Sequence, residues 1–254
     1  MPASLLENHP LSTQPKPGRY SKGLMWFRRD LRTHDNAALF YALKHCEQVH
    51  CVFVYDKTIL DALPNKADRR VEFIWESCMA LKTKLQGFGG DLHLIHDHAE
   101  TAIPELATKL GAQAVFTNKD YEPAAIHRDI TVGKTLQGKG IELFRFKDQA
   151  IFEEDEVLTQ AGKFFSVFTP FKNACLKKLD EFHLTPYPSE ARVGSLAKDS
   201  GLPAPSLDHM GFKRTNLLDM IKPGEEGALD AFEDFLNRMD KYKVARDFPA
   251  IKGV

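Results

Sequence analysis

Between Lys22 and Ala150 the chain alternates five times between a short apolar run and a stretch of helical periodicity, and this narrows the fold more than any other feature. The apolar runs are Leu24 to Phe27, Val49 to Tyr55, Leu92 to Ile95, Ala114 to Thr117 and Ile141 to Phe146. They are rich in β-formers and lack the strict polar alternation of a strand with one wet face, as strands covered on both faces should. Helices are predicted over Ala37 to Leu43, Lys66 to Gln86, Thr101 to Leu110 and Ile126 to Gln137. The second has the clearest stripe, with Val71, Ile74, Trp75, Cys78, Leu81 and Leu85 at helical spacing and Gly87, Gly89 and Gly90 as its stop. Regular alternation of this kind implies right-handed crossovers and an α/β fold with a doubly wound, five-stranded parallel sheet over residues 22–150.

Such a sheet binds ligands at the carboxyl ends of its strands. The five loops there are Phe27 to Arg32, Asp56 to Leu60, His96 to Glu100, Asn118 to Pro123 and Lys147 to Phe152. The first holds Arg28, Arg29, Asp30 and Arg32, followed by Thr33, Asp35 and Asn36, whose side-chain oxygens suit the N-cap of the next helix. Three guanidiniums suit an anionic or polar ligand, and they equally suit a solvated basic turn paired with Asp30. No GxGxxG follows the first strand and no Walker A sequence occurs, which removes the usual dinucleotide and nucleotide-phosphate grips. His93, His96 and His98 are close in sequence, but His93 falls on the opposite strand face from His96 and no further ligand completes a shell, so no metal is expected. No GxSxG elbow or nucleophilic cysteine signature is present.

Hydrophobic residues make up 43% of the 254, enough for a full core, and the net charge of −1 does not suit a surface that grips nucleic acid all over. The four cysteines, Cys46, Cys51, Cys78 and Cys175, form no CxxC pair and read as free, mostly buried thiols of a reducing compartment. Residues 1–21 are polar and proline-rich, without the apolar core of a signal or a membrane span. A flexible tail and a cytoplasmic protein are the expectations.

From Glu153 the alternation stops, and prolines at 170, 186, 188, 203, 205 and 223 mark a linker over 151–223 with short helices. Phe164, Phe165, Val167, Phe168 and Phe171 make its start too apolar for a free connection, so this part is expected to pack against a domain. Residues 224–239 then form an amphipathic helix with Leu229, Phe232, Leu236 and Met239 on one stripe. A single amphipathic helix cannot bury its own stripe, so a helical domain is expected to begin here.

Four segments together resemble the photolyase/cryptochrome family, most closely the bacterial members that repair cyclobutane pyrimidine dimers. They are Trp26-Phe-Arg-Arg-Asp-Leu-Arg-x-x-Asp-Asn36, Asn118 to Asp129, Val167-Phe-Thr-Pro-Phe-Lys-Asn-Ala174, and Gly224 to Gly253 with Tyr242 and Arg246-Asp-Phe-Pro. The resemblance implies a Rossmann-like α/β antenna domain, a linker that wraps around it, and the start of an all-helical FAD domain at 224–254. It implies light-driven repair of DNA by electron transfer from reduced FAD, with damaged DNA as the partner of the full-length protein. The segments that carry most of the FAD pocket, the electron-relay tryptophans and the lesion pocket have no counterpart here, so the chain reads as roughly the first half of such a protein. Turnover by this half alone is not expected, and no catalytic residue is assigned to it. Trp26 and Trp75 lie in the α/β half and read as core residues rather than a relay.

Residue by residue, Tyr242 matches the family's FAD-contacting tyrosine and Arg246 its DNA-contacting arginine. Folate-binding members carry an Asn-Glu pair where this sequence has Ala124 and Ala125, whose side chains neither donate nor accept hydrogen bonds. A deazaflavin or flavin antenna is therefore favoured over folate, with Asp120 and Glu122 as acceptors and Arg28, Arg29 and the Asp56 to Leu60 loop lining the same cleft. An empty antenna site stands beside it as an alternative. A cryptochrome-like photosensor and a non-catalytic α/β module that binds a small molecule remain alternative functions.

Overall fold

The computed structural model describes residues 20–198, 201, 203–248 and 250. Of the expected tail at 1–21, only Tyr20 and Ser21 are described; the remainder, and Pro249 and residues 251–254 of the family-like C-terminal stretch, lie outside the described residues. The elements follow the predicted order: β1 (Tyr20–Phe27), α1 (Ala37–His45), β2 (Cys46–Asp56), α2 (Lys57–Leu60), α3 (Arg69–Gly87), β3 (Leu92–Asp97), α4 (Ala99–Leu110), β4 (Ala114–Asn118), α5 (Pro123–Gly138) and β5 (Glu142–Phe146). All neighbouring strands run parallel in the order β3-β2-β1-β4-β5, so the chain reverses direction across the sheet between β1 and β4.

Side chains alternate between two cores. Met25, Phe27, Phe53, Phe116 and Phe144 pack with α1 and α3, and Leu24, Trp26, Val52, Val115 and Leu143 pack with α4 and α5. Each fully buried Leu or Phe among them contributes about 1.5–3 kcal/mol. Helix ends follow local chemistry: the Oδ1 of Asn36 accepts the Leu39 amide at 3.0 Å, Asp68 caps α3 through the Arg70 amide, and Gly111 ends α4 at a φ of 69°. β1 and β2 extend beyond the apolar runs because their polar starts still pair, Tyr20 opposite Cys46 and Lys22 opposite Gln48. Within the Asp56 to Leu60 segment, expected as a loop, Lys57–Leu60 is instead the one-turn helix α2, capped by Asp56, whose Oδ1 accepts the Thr58 amide at 3.0 Å.

The reversal between β1 and β4 is locked by three buried polar residues. Asn118, at the end of β4, donates from Nδ2 to Asp30 Oδ2 at 2.6 Å and to Asn36 Oδ1 at 3.0 Å. Its Oδ1 accepts the Ala38 amide at 3.0 Å. Asp30 also receives the Arg28 amide and the Asn36 side chain.

After β5 the chain carries α6 (Phe168–Lys178), α7 (Glu181–Leu184), a 3-10 segment (Ser189–Ser195), α8 (Gly224–Leu236) and α9 (Tyr242–Ala245). The middle of this region returns along the α1/α3 side. Ala197 donates its amide to Val49 O at 2.7 Å, Trp75 Nε1 donates to Pro205 O at 2.8 Å, and the buried Glu72 accepts from the Thr215 amide at 2.8 Å. Leu207, Met210 and Phe212 join the core itself. The aromatic start of the region departs from expectation: Phe164, Val167 and Phe168 are exposed, and Phe165 meets only Phe171 among the described rings. Apolar character marked that segment, but no surface of the described residues covers it.

Two measurements check this account. Asn118→Ala removes one of the donors to the Asp30 carboxylate and leaves the Ala38 amide without its acceptor, and should cost roughly 2–4 kcal/mol in urea unfolding. The second concerns His50 on β2 and His93 on β3, whose rings lie 6.0 Å apart. Burial pushes His50 down to about 4, and burial likewise lowers His93. The unfolded chain therefore binds more protons than the folded one between the ordinary histidine value of about 6.5 and about 4. Stability should be full above pH 6.5 and fall as pH drops through that window, and His50→Gln should flatten the fall.

Candidate functional site at the carboxyl edge of the sheet

The loops after β1, β4 and β5 meet at this edge, and the three arginines of the first loop take different carboxylates. None of them pairs with Asp30, whose oxygens accept the amide and asparagine donors described above. Arg28 is buried: its Nη1 donates to both Asp129 oxygens at 2.7 and 2.8 Å, and its Nη2 reaches the Asn118 carbonyl. Its guanidinium carbon lies 5.1 Å from the centre of the Trp26 ring. Arg28 thus holds β1 to α5 beneath the surface, where the sequence placed it in the wall of a cleft. Arg32 is bidentate to the buried Asp148, both contacts at 3.0 Å, and that carboxylate also accepts the Ala37 amide.

Arg29 points outward, with 56% of its side chain exposed. It bridges the two expected acceptors, meeting Asp120 at 3.1 Å and Glu122 at 2.6 Å. The hydrogen bond to Glu122 raises the Arg29 pKa, with Asp120 adding to the effect. Asp120 is itself buried and its Oδ1 accepts the Glu122 amide at 3.2 Å, which fixes the turn into α5. Arg29, Asp120 and Glu122 therefore form one cluster at the end of β1 and β4, and Arg28 lies under it. Beside it, Arg32, Asp148, Lys147, Phe182, Thr185 and Tyr187 line a groove of about 240 Å3.

Tyr242 and Arg246 are also brought together, at the start of α9 and just past its end. The Arg246 amide donates to Tyr242 O at 3.0 Å, and its guanidinium lies 5.9 Å from the Tyr242 ring. The Tyr242 ring meets Phe235 of α8 edge-on at 5.9 Å. α8 sits on α3 through its first turn, where Lys84 meets Glu225 at 2.9 Å. Its apolar stripe faces outward, so Leu229, Phe232, Leu236, Met239, Tyr242 and Phe248 are all exposed.

Three residues of the edge received no role from the sequence: Arg128 and Asp129, at the end of the family-like Asn118 to Asp129 segment, and Arg145. Pattern alone holds a signal for two of them. Asp129 falls on the buried stripe Ala125, Val132, Leu136 of α5, and Arg145 interrupts the apolar run Leu143-Phe-Arg-Phe146. A charge at a core position implies a partner inside the protein.

The DNA photolyase family model matches residues 23–191. The chain belongs to the DNA photolyase family. A deoxyribodipyrimidine photo-lyase of Agrobacterium fabrum is 31% identical over 241 residues, covering 89% of this chain and 47% of that one. A bacterial class III photolyase from Agrobacterium tumefaciens superposes with a TM-score of 0.76 at 28% identity, over 96% of this chain and 50% of that one. An archaeal photolyase from Sulfolobus tokodaii, described with two FAD molecules and the implication of a novel light-harvesting cofactor, matches with a TM-score of 0.60 at 27% identity over 74% of this chain and 40% of its own. The chain thus spans about half the length of the photolyases it matches. An uncharacterized 31.6 kDa protein of Synechococcus sp. is 33% identical and is covered over 82% of its length. Among the described residues no helix is long and apolar enough to cross a membrane, and no group of three or more metal-ligating side chains is found.

Asp129→Asn should show what the buried pairing at this photolyase edge is worth. Removing the carboxylate leaves Arg28 buried without its partner, and thermal or urea unfolding should register a loss of about 3–5 kcal/mol.

Proposed function

We propose that this chain is the N-terminal part of a photolyase that repairs pyrimidine dimers in DNA, with residues 22–150 as its light-harvesting domain and 151–223 as its linker. The observation that carries this reading is the outward apolar face of α8 and α9. Leu229, Phe232, Leu236 and Met239 are each about half exposed or more in a chain that matches half of its photolyase relatives. A stripe of this kind marks a docking surface, and a helical FAD-binding domain is the partner that the family supplies. On that face Tyr242 is the proposed FAD contact of this chain, and its half-exposed ring suits contact with one side of a flavin. Arg246 beside it carries a permanent charge suited to a DNA phosphate. When bound, reduced FAD supplies the electron for dimer splitting; the protein here supplies position and dryness.

Asp120, Glu122 and Arg29 are the proposed hold on a deazaflavin or flavin antenna. The Arg29–Glu122 pair is more than half exposed on both sides, and pairs of that kind are worth only about 0–1 kcal/mol. A ligand with a polar edge can therefore displace it at little cost, taking Asp120 and Glu122 as acceptors. The cytoplasm is the proposed compartment.

The chain should carry a heat-releasable chromophore visible by absorption, and Asp120→Asn should reduce its occupancy about tenfold, the loss expected for one charge-assisted hydrogen bond. Mixed with the FAD-binding half of a related photolyase, the chain should give light-dependent repair of dimers, and Leu229→Glu with Phe232→Glu should abolish it without unfolding the sheet. Absence of both chromophore and repair would remove the enzyme reading.

A further inference from the structure

The cluster beneath Arg29 has more donors than acceptors. Asp129, fully buried, is the shared carboxylate of Arg28 at 2.7 Å, Arg128 at 3.3 Å and Arg145 at 3.8 Å. The last distance is that of an ion pair beyond direct hydrogen bonding. The Nε atoms of Arg128 and Arg145 are buried and have no acceptor among the described residues. Two other carboxylates bear on the cluster, Asp56 from β2 on Arg128 and Glu153 from beyond β5 on Arg145. Both are engaged elsewhere: Asp56 caps α2, and Glu153 pairs with Lys119 at 3.0 Å. Three guanidiniums thus surround one carboxylate in a place where an unmatched charge is costly.

We propose that Arg128 and Arg145 form a binding site for a small oxyanion, a phosphate or a carboxylate carried on a ligand or free in solution. Both side chains are mostly enclosed yet reach solvent, Arg145 with 9% and Arg128 with 16% of its surface open. The planar guanidinium presents paired donors that match phosphate and carboxylate oxygens. Arg128 is further set in place by the Trp26 ring, whose centre is 5.1 Å from its guanidinium carbon. Burial, together with repulsion from Arg28, holds both guanidiniums below the ordinary arginine value, and an anion would reverse that pressure. The site lies apart from the α8 face and does not depend on what docks there.

The test is thermal unfolding of the full chain at fixed ionic strength, with chloride exchanged for inorganic phosphate. A Tm rise of roughly 3 °C or more is expected with phosphate well above its Kd, reduced in Arg145→Lys, which keeps the charge and loses the fork, and absent in Arg145→Gln. Should Arg145→Gln fail to fold, phosphorus NMR line broadening of phosphate by the wild-type chain, relieved in Arg128→Gln, reads the same site. Phenyl phosphate separates the sources: binding at least tenfold tighter than phosphate indicates the headgroup of a larger ligand, and equal binding a free ion. A phosphate effect equal in all variants, or none beyond chloride, would overturn the proposal.

Discussion

The contact between Asn118 and Asp30 is the constraint on which the site depends. A parallel sheet that reverses its winding leaves a gap at the reversal, and here the gap is closed by side chains whose donors and acceptors match each other. Because Asn118 belongs to β4 while Asp30 and Asn36 belong to the β1–α1 connection, the network fixes the spacing of two loops far apart in sequence. Arg29, Asp120 and Glu122 inherit that spacing. Their own ion pairs are too exposed to set it.

Arg28 and Arg29 show how neighbours in one charged loop acquire opposite tasks. Strand alternation sends Arg28 to the α5 side, where Asp129 waits on a buried helical stripe, and leaves Arg29 at the rim. Nothing in the loop itself separates them. The deciding partner is 101 residues away for Arg28 and 91 for Arg29.

The sheet, its order of elements and its helices were legible because periodicity is a local property that burial on two faces imposes. The switch-point residues Asn36 and Asn118 were legible as an N-cap, a loop start and the ends of two family-like segments, but not as a pair, since a network is a relation among distant positions. Asp129 and Arg145 left a trace as charges set in apolar patterns, with no indication of which charges would meet, and Arg128 left none. The Phe164 to Phe171 segment shows the converse limit. Its composition marks it as unfit for water, but composition does not say whether the covering surface belongs to the described residues.

Leu207, Met210 and Phe212 place the middle of the 151–223 stretch inside the α1/α3 core, and Glu72 grips it again at Thr215. Mechanically, then, this stretch belongs with the sheet, and α8 is fastened to that unit through α3. A protease nick near the exposed Phe164 would cut the covalent path without separating the pieces, because the downstream half would remain anchored by its own side chains. The chain would behave as a noncovalent complex of two fragments, parting only under denaturing conditions.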